Sequence, residues 1–332
     1  MSHNPMQRRE FVALLGGMAA AWPQAVIAQT PSKIHRLGSV GPVDPLAENT
    51  PRGSVLLREL ARRGYTLGQN LSYEPRGARA QLSRLPEFFQ EFKAKQIDVV
   101  VTVGYPATLV AKSSGLPTVV AYGVGDPVAT GLIDRLARPG GNITGISDMA
   151  AELSTKRLSL LKLLMPTLRR VAMLWNKDDL GMTLRYEASA KAAASLGVTV
   201  QPLGVREPED FDEAFAAMNR EPPEAILMVS DSLTILNRRR VFDFAAARRL
   251  PAIYESENLV RDGGLMSYGA ELKESFERAA ALVDLIFKGA KPADLPFEQP
   301  TRYRFMLNLN TAKAIGLEIP KTLLALADEV IE

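Results

Sequence analysis

The chain contains no cysteine and only two histidines, His3 and His35. The first absence excludes a disulfide scaffold, a cysteine-ligated zinc or iron–sulfur site and a cysteine nucleophile. The second puts a histidine-rich metal site out of reach. A Ser-His-Asp arrangement would have to draw on His35, or on His3 inside a segment with the layout of a leader. Lysine or carboxylate chemistry stays open, so an enzyme is disfavoured but not forbidden. The net charge is small as well: 40 basic against 37 acidic side chains in 332 residues leave +3. That bias is too small and too evenly spread to point to nucleic acid or an acidic membrane surface. The largest basic clusters, Arg238-Arg239-Arg240 and Arg248-Arg249, fall in an expected helix and read as a solvated face.

What is present begins with an address. Gln7-Arg8-Arg9-Glu10-Phe11-Val12 is followed by the apolar run Ala13 to Trp22, then Pro23 and Val26-Ile27-Ala28. A basic start, a short apolar stretch and small residues near a cut site make a secretory signal over residues 1–28. The paired arginines with Phe11 resemble a twin-arginine export signal, and cleavage after Ala28 would leave Gln29 first. The rival is an uncleaved anchor, but Gly16, Gly17, Pro23 and Gln24 interrupt the run, whereas a spanning helix wants ~20 mostly apolar residues. No cysteine follows, so a lipid anchor is excluded, and no later segment is long and apolar enough to span a bilayer. The mature chain is therefore expected to be exported and not membrane-spanning.

From His35 onward, short β-branched runs alternate with amphipathic stretches. Strands are expected near 35–40, 71–74, 98–103 and 118–122, with helices near 51–63, 81–95 and 106–113 between them. The second half repeats this, with strands near 171–175, 198–203, 225–229 and 252–254. Its helices are expected near 152–165, 182–196, 208–219 and 233–249. Strand–helix repetition of this kind implies parallel sheets covered by helices on both faces. Three turn-rich breaks punctuate it: Arg138-Pro139-Gly140-Gly141-Asn142, then Gly263-Gly264 before a strand near 265–268 and a helix over 272–288, then Gly289 to Pro300 before a strand near 302–307. The expected fold is α/β, two doubly wound parallel-sheet lobes joined by three crossovers. The lobes would comprise residues 33–145 plus about 269–298, and 146–268 plus about 299–332. Multiple crossovers make a hinge, and a hinge suits closure around a ligand.

Several stretches carry a resemblance. They are Gly125-Asp126-Pro127-Val128-Ala129-Thr130-Gly131-Leu132, the run Leu136-Ala137-Arg138-Pro139-Gly140-Gly141-Asn142-Ile143-Thr144-Gly145, and Leu153-Ser154-Thr155-Lys156-Arg157-Leu158. Gly263-Gly264-Leu265-Met266-Ser267-Tyr268-Gly269 and Asp294-Leu295-Pro296-Phe297-Glu298-Gln299-Pro300 complete the set. Together they resemble the substrate-binding proteins of ABC transporters, in the aromatic-amino-acid-binding-like group, over nearly all of the mature chain. The resemblance implies a type I periplasmic binding protein fold and a freely diffusing periplasmic receptor, expected to be a monomer. It would capture a small molecule and present it to permease and ATPase subunits. No cofactor, metal or nucleic acid is called for. The chain has no Gly-x-x-x-x-Gly-Lys-Ser/Thr loop, so ATP hydrolysis would belong to another subunit. The ligand implied is an amino acid or related carboxylate, aromatic by family, with branched-chain amino acids and aromatic carboxylates as alternatives. A sensor that reports to a membrane kinase or chemoreceptor, and an exported enzyme on the same lobes, are the competing functions.

In open α/β sheets ligands bind beyond the carboxyl ends of strands, against helix N-termini. The candidate binding residues there are Val43, Asp44, Gly104, Tyr105, Thr108, Gly125 and Asp126 in the first lobe. In the second they are Trp175, Asn176, Asp231, Ser232, Glu255 and Glu257. A zwitterion needs opposed partners: backbone N–H groups in the Gly104–Thr108 turn suit a carboxylate, and Asp231 leads the candidates for an ammonium, ahead of Asp44, Asp126, Glu255 and Glu257. Tyr105, Tyr122, Trp175 and Tyr254 could wall an apolar side chain. Each has a structural alternative. Asp126, Asp231 and Ser232 stand where a helix N-cap is wanted, Trp175 and Tyr268 could pack as core, and Asp178-Asp179 reads as a solvated loop.

Overall fold

The computed structural model describes residues 33–332; the leader, its arginine pair and the cut site after Ala28 lie outside the described residues. The first lobe comprises His35–Gly41 (β1), Pro51–Arg62 (α1), Leu71–Gly77 (β2), Leu85–Ala94 (α2), Val99–Val103 (β3), Tyr105–Ser114 (α3), Thr118–Tyr122 (β4) and Ile143–Gly145 (β5). Its strands run parallel in the order β2-β1-β3-β4-β5. Strand alternation builds a core on each face. Val99, Val101 and Val103 pack with Leu37, Leu56 and Leu60, while Val100 packs with Phe88, Phe89, Phe92 and Ala107. Every face of β3 is buried, which is why it reads as an unbroken apolar run.

The chain then crosses to Ala150–Leu164 (α4), Arg170–Asn176 (β6), Leu180–Ser195 (α5), Thr199–Val205 (β7), Asp210–Arg220 (α6), Ala225–Met228 (β8), Ser232–Leu236 (α7), Arg238–Ala247 (α8), Ala252–Tyr254 (β9), Glu257–Arg261 (α9) and Met266–Ala270 (β10). Here Met173 and Trp175 share a core with Leu227 and Ile253, and Ala172 and Leu174 share the opposite one with Phe211 and Ile226. The helix expected over 233–249 divides at Asn237, whose side-chain amide donates to the Leu233 carbonyl at 2.9 Å and competes with the backbone ladder.

After β10 the chain returns to the first lobe as Leu272–Phe287 (α10). Phe276, Ala279, Ala280, Val283 and Phe287 recur at helical spacing and join the cluster of Leu37, Val99 and Val101. A third crossing leads to Tyr303–Asn308 (β11), Leu309–Ala314 (α11), Lys321–Leu324 (α12) and Glu329–Ile331 (β12). The second sheet is ordered β12-β11-β10-β9-β8-β6-β7. All its pairs are parallel except β10 with β11, where Ala270 faces Tyr303. The physical reason is the crossing itself. β11 re-enters the sheet at the end where β10 leaves it, so it must run the other way. Strand β5, helix α9, strand β12 and the two short C-terminal helices go beyond what the apolar pattern suggests. Among the described residues no helix is long and apolar enough to cross a membrane.

Candidate ligand-binding cleft

The carboxyl ends of both sheets open onto one cavity of about 490 Å³ between the lobes. It lies where strand order reverses, beyond β1 and β3 in one lobe and β6 and β8 in the other. From the first lobe come the segment after β1, including Val43 and Asp44, the start of α1 with Arg52, Gly104 after β3, and Tyr122 at the end of β4. Thr50 caps α1 by accepting the Gly53 N–H at 3.1 Å, and Pro51 supplies the preset first helical φ, which together place Arg52 in the opening turn. Arg52 has no carboxylate within ion-pair distance among the described residues. Burial pushes its guanidinium pKa down, opposed from a distance by Tyr122 and Asp44. Gly104 has φ 86°, a left-handed value that admits glycine and turns the chain from β3 into α3.

The second lobe contributes Asp179, Ser230, Asp231, Ser232, Ser256 and Asn258, with Met182, Ile235 and Leu236 as apolar surface. Asp179 caps α5 by accepting the Met182 N–H at 3.2 Å. Asp231 accepts the Thr234 N–H and hydroxyl, both at 2.8 Å, and takes the Asn176 side-chain amide at 2.7 Å. Burial, then the charge of Asp231, push the Asp179 carboxyl up to about 6. Ser230 also borders the cavity, and its hydroxyl is buried with no hydrogen-bond partner among the described residues. The remaining arginines on the wall are committed: Arg238 pairs with Asp262 at 2.7 Å and Arg261 with Glu329 at 2.6 Å.

Of the positions expected from the strand ends, Val43, Asp44, Gly104, Asp231 and Ser232 line the cavity. The others serve its framework. Tyr105 packs with Val120, Val124 and Phe297. Thr108 is buried and bonds the Thr102 hydroxyl and the Gly104 carbonyl, each at 2.9 Å. Gly125 offers its carbonyl to Ser147 at 3.2 Å. Asp126 is exposed and caps the Val128 and Ala129 N–H groups at 2.9 and 3.1 Å. Trp175 stacks on Tyr186 with ring centroids 3.8 Å apart, and Asn176 holds Asp231 in place. Glu257 pairs with Arg304 at 3.2 Å.

Glu255 is occupied more completely. Arg157 reaches it at 3.0 Å, Arg185 at 2.8 Å, and the Ser230 N–H at 3.0 Å. Arg185 also pairs with Asp148 on the first crossing, and Arg157 donates to the Tyr268 carbonyl at 2.7 Å near the second. All four charged side chains are at most 2% exposed, so this neutral network is closed off from water, and it joins segments at the first two crossings. His35 stands at the opposite end of β1 from the cavity and packs on Phe287 and Tyr65, 4.5 and 5.0 Å between centroids.

Arg52 is not among the residues the sequence points to, Ser230 stands there only as the neighbour of Asp231 and Ser232 at a strand end, and Asp179 only as half of a solvated loop. Arg52 was signalled only by the Thr50-Pro51 helix start. Asp178-Asp179 reads as one loop, yet Asp178 is exposed and pairs with Arg206 at 3.1 Å whereas Asp179 is buried.

The comparisons agree with this geometry. Residues 53–331 match the model of the ABC transporter substrate binding protein family. A tyrosine-binding protein of Clostridioides difficile is 21% identical over 276 residues, which cover 82% of this chain and 78% of that protein. A crystal structure from Streptococcus pneumonia, described as an ABC domain in complex with L-Trp, superposes with a TM-score of 0.81 at 23% identity, over 90% of this chain and all of that one. A solute-binding protein of R. palustris in complex with benzoate gives 0.58 at 13% identity, over 82% of this chain and 92% of that one. With a family match over most of its length and two lobes closing on one cavity, the chain belongs to the ABC transporter substrate-binding proteins.

Proposed function

We propose that the protein captures a small carboxylate-bearing molecule, an amino acid or a related aromatic acid, between its lobes in the periplasm and delivers it to a membrane permease. The lobes that move would be residues 33–145 with about 269–298, and 146–268 with about 299–332. The carrying observation is Arg52, a cation on the cavity wall with no carboxylate in ion-pair range among the described residues. A guanidinium of that kind is suited to hold a ligand carboxylate by paired N–H donors. Tyr122 and the apolar residues Val43, Met182 and Ile235 supply surface for a side chain. The ligands in the names of the relatives, tyrosine, L-Trp and benzoate, share a carboxylate and a ring. The export signal over residues 1–28 supports the periplasmic location.

Calorimetric titration of a panel of amino acids and aromatic carboxylates tests this reading. At least one is expected to bind, and Arg52→Gln is expected to weaken it about 10–100-fold, the size of a charge-assisted hydrogen bond, at nearly unchanged melting temperature. A panel with no binder, or an Arg52→Gln variant that binds equally well, would overturn it.

A further inference from the structure

We propose that the second lobe carries a further binding site, separate from the cleft, for a small uncharged aromatic molecule with one hydroxyl or N–H group, of the phenol or indole kind. The site is a cavity of about 420 Å³ bordered by α8, the Gly263-Gly264 break and α11. Of the residues around it only Asp262 also borders the cleft, and that carboxylate is held by Arg238 at 2.7 Å. Its inner wall is apolar and buried: Ala245 from α8, Ala252 from β9, Leu265, and Ile315 at the end of α11.

Tyr254 is the polar exception on that wall. Its strand-end position made it a candidate for the cleft, but it lines this cavity instead. Its ring meets Phe242 edge-on, with centroids 5.3 Å apart and planes at 77°. It also lies against Gly264, where a Cβ would stand 2.7 Å from Cε2, so the break must lack a side chain at that point. Tyr254 is 1% exposed, and its hydroxyl has no hydrogen-bond partner among the described residues. Burial, with no hydrogen bond to oppose it, raises the pKa. Unlike the Ser230 hydroxyl, it is not sealed from solvent, so a molecule in the cavity can reach it. A buried hydroxyl left unmet is costly, and a ligand oxygen or N–H at that point removes the cost.

The rest of the cavity sets the ligand's charge and shape. The three charged residues around it, Arg239, Asp243 and Asp262, are all exposed. An ionised ligand would therefore shed its water with no buried charge to replace it. Arg239 and Asp243 stand one turn apart on α8, so their charges offset each other at the rim. Phe242 is half-buried and offers a ring for an aromatic ligand to pack against.

Titration of 4-methylphenol, and of p-xylene as its match in shape without the hydroxyl, tests the site when followed in amide NMR spectra. The phenol is expected to bind wild type with a Kd on the order of 1 mM. It should shift amides of residues 242–254, 262–265 and 308–315, and p-xylene should bind about tenfold more weakly. Tyr254→Phe is expected to equalise the two probes while keeping or raising the melting temperature, because it deletes a hydroxyl that has no partner. Ala314→Leu, at an exposed position on α11, is expected to fill the cavity and abolish binding of both. No binding to wild type, shifts confined to cleft residues, or equal affinity of the two probes for wild type overturns the site. So does a preserved preference in Tyr254→Phe, or undiminished binding in Ala314→Leu.

Discussion

Asp179 shows how a single position sets both a cost and a use. Its carboxyl is raised from the usual 3.8 to about 6 by burial first and by Asp231 second, with Arg185 from its own helix pulling the other way and Tyr105 facing it from α3. A carboxyl raised on folding contributes stability that is complete below its unfolded pKa and is lost as pH climbs through its folded value. Between about pH 4 and pH 7 the ligand-free protein therefore loses up to about 3 kcal/mol at this residue. The expected outcome is that Asp179→Asn, which keeps the cap, is more stable than wild type at pH 7.5 and equally stable at pH 4. Urea unfolding of both across that range would show it. A constant difference over the whole range would refute it. The same residue shows a limit of reading from sequence: Asp178 and Asp179 are chemically identical neighbours, and only the start of α5 decides which is solvated and which is buried.

At the scale of elements, the crossings are held by ion pairs that the strand pattern does not reveal. Asp148, Arg185, Glu255 and Arg157 come from a crossing segment, α5, the end of β9 and α4, so no local window contains the set. Glu255 at a strand end has the position of a ligand contact, and the two arginines that claim it are far away in sequence. Removing one partner from a buried network leaves uncompensated charge, at about 3–5 kcal/mol. Arg185→Met is expected to lose stability of that order in urea unfolding, because Asp148 and Glu255 each lose the buried Arg185 guanidinium that pairs with them. A loss below about 1 kcal/mol would mean that the network is hydrated or rearranges. Helix α10 makes the complementary point. Its apolar face is legible from the spacing of Phe276, Ala279, Val283 and Phe287, but its destination on the sheet of the other lobe is not.

For the whole molecule, the operative property is how closely the lobes approach. Gly181, at the start of α5, stands where the lobes touch: a Cβ there would be 3.2 Å from Asp179 Oδ1 in its own lobe and in ordinary contact with the first lobe, 3.4 Å from the Val124 carbonyl oxygen and 3.5 Å from Tyr105 Cβ, so a larger side chain would fill the gap. Enlarging a close-packed contact typically costs a few kcal/mol. Gly181→Val is expected to hold the lobes apart and weaken ligand about tenfold. In solution scattering, wild type should contract when ligand is added, whereas the variant should contract less. Equal contraction in the two proteins would show that closure does not pass through this contact.

The sequence by itself determined the alternation of strands and helices, the burial of both sheet faces, the three glycine- and proline-rich crossings and a ligand cleft at the strand ends. These follow from local periodicity and turn chemistry, which a linear pattern records directly. It also determined what chemistry is missing, since no folding can supply an absent thiol. Tertiary structure alone decided which of many acids face the cavity, that Glu255 is spent on Arg157 and Arg185, that Arg52 has no carboxylate in ion-pair range among the described residues, and that β11 runs against β10. Those outcomes depend on which residues distant in the chain meet, and on how much water is left at each once they have met.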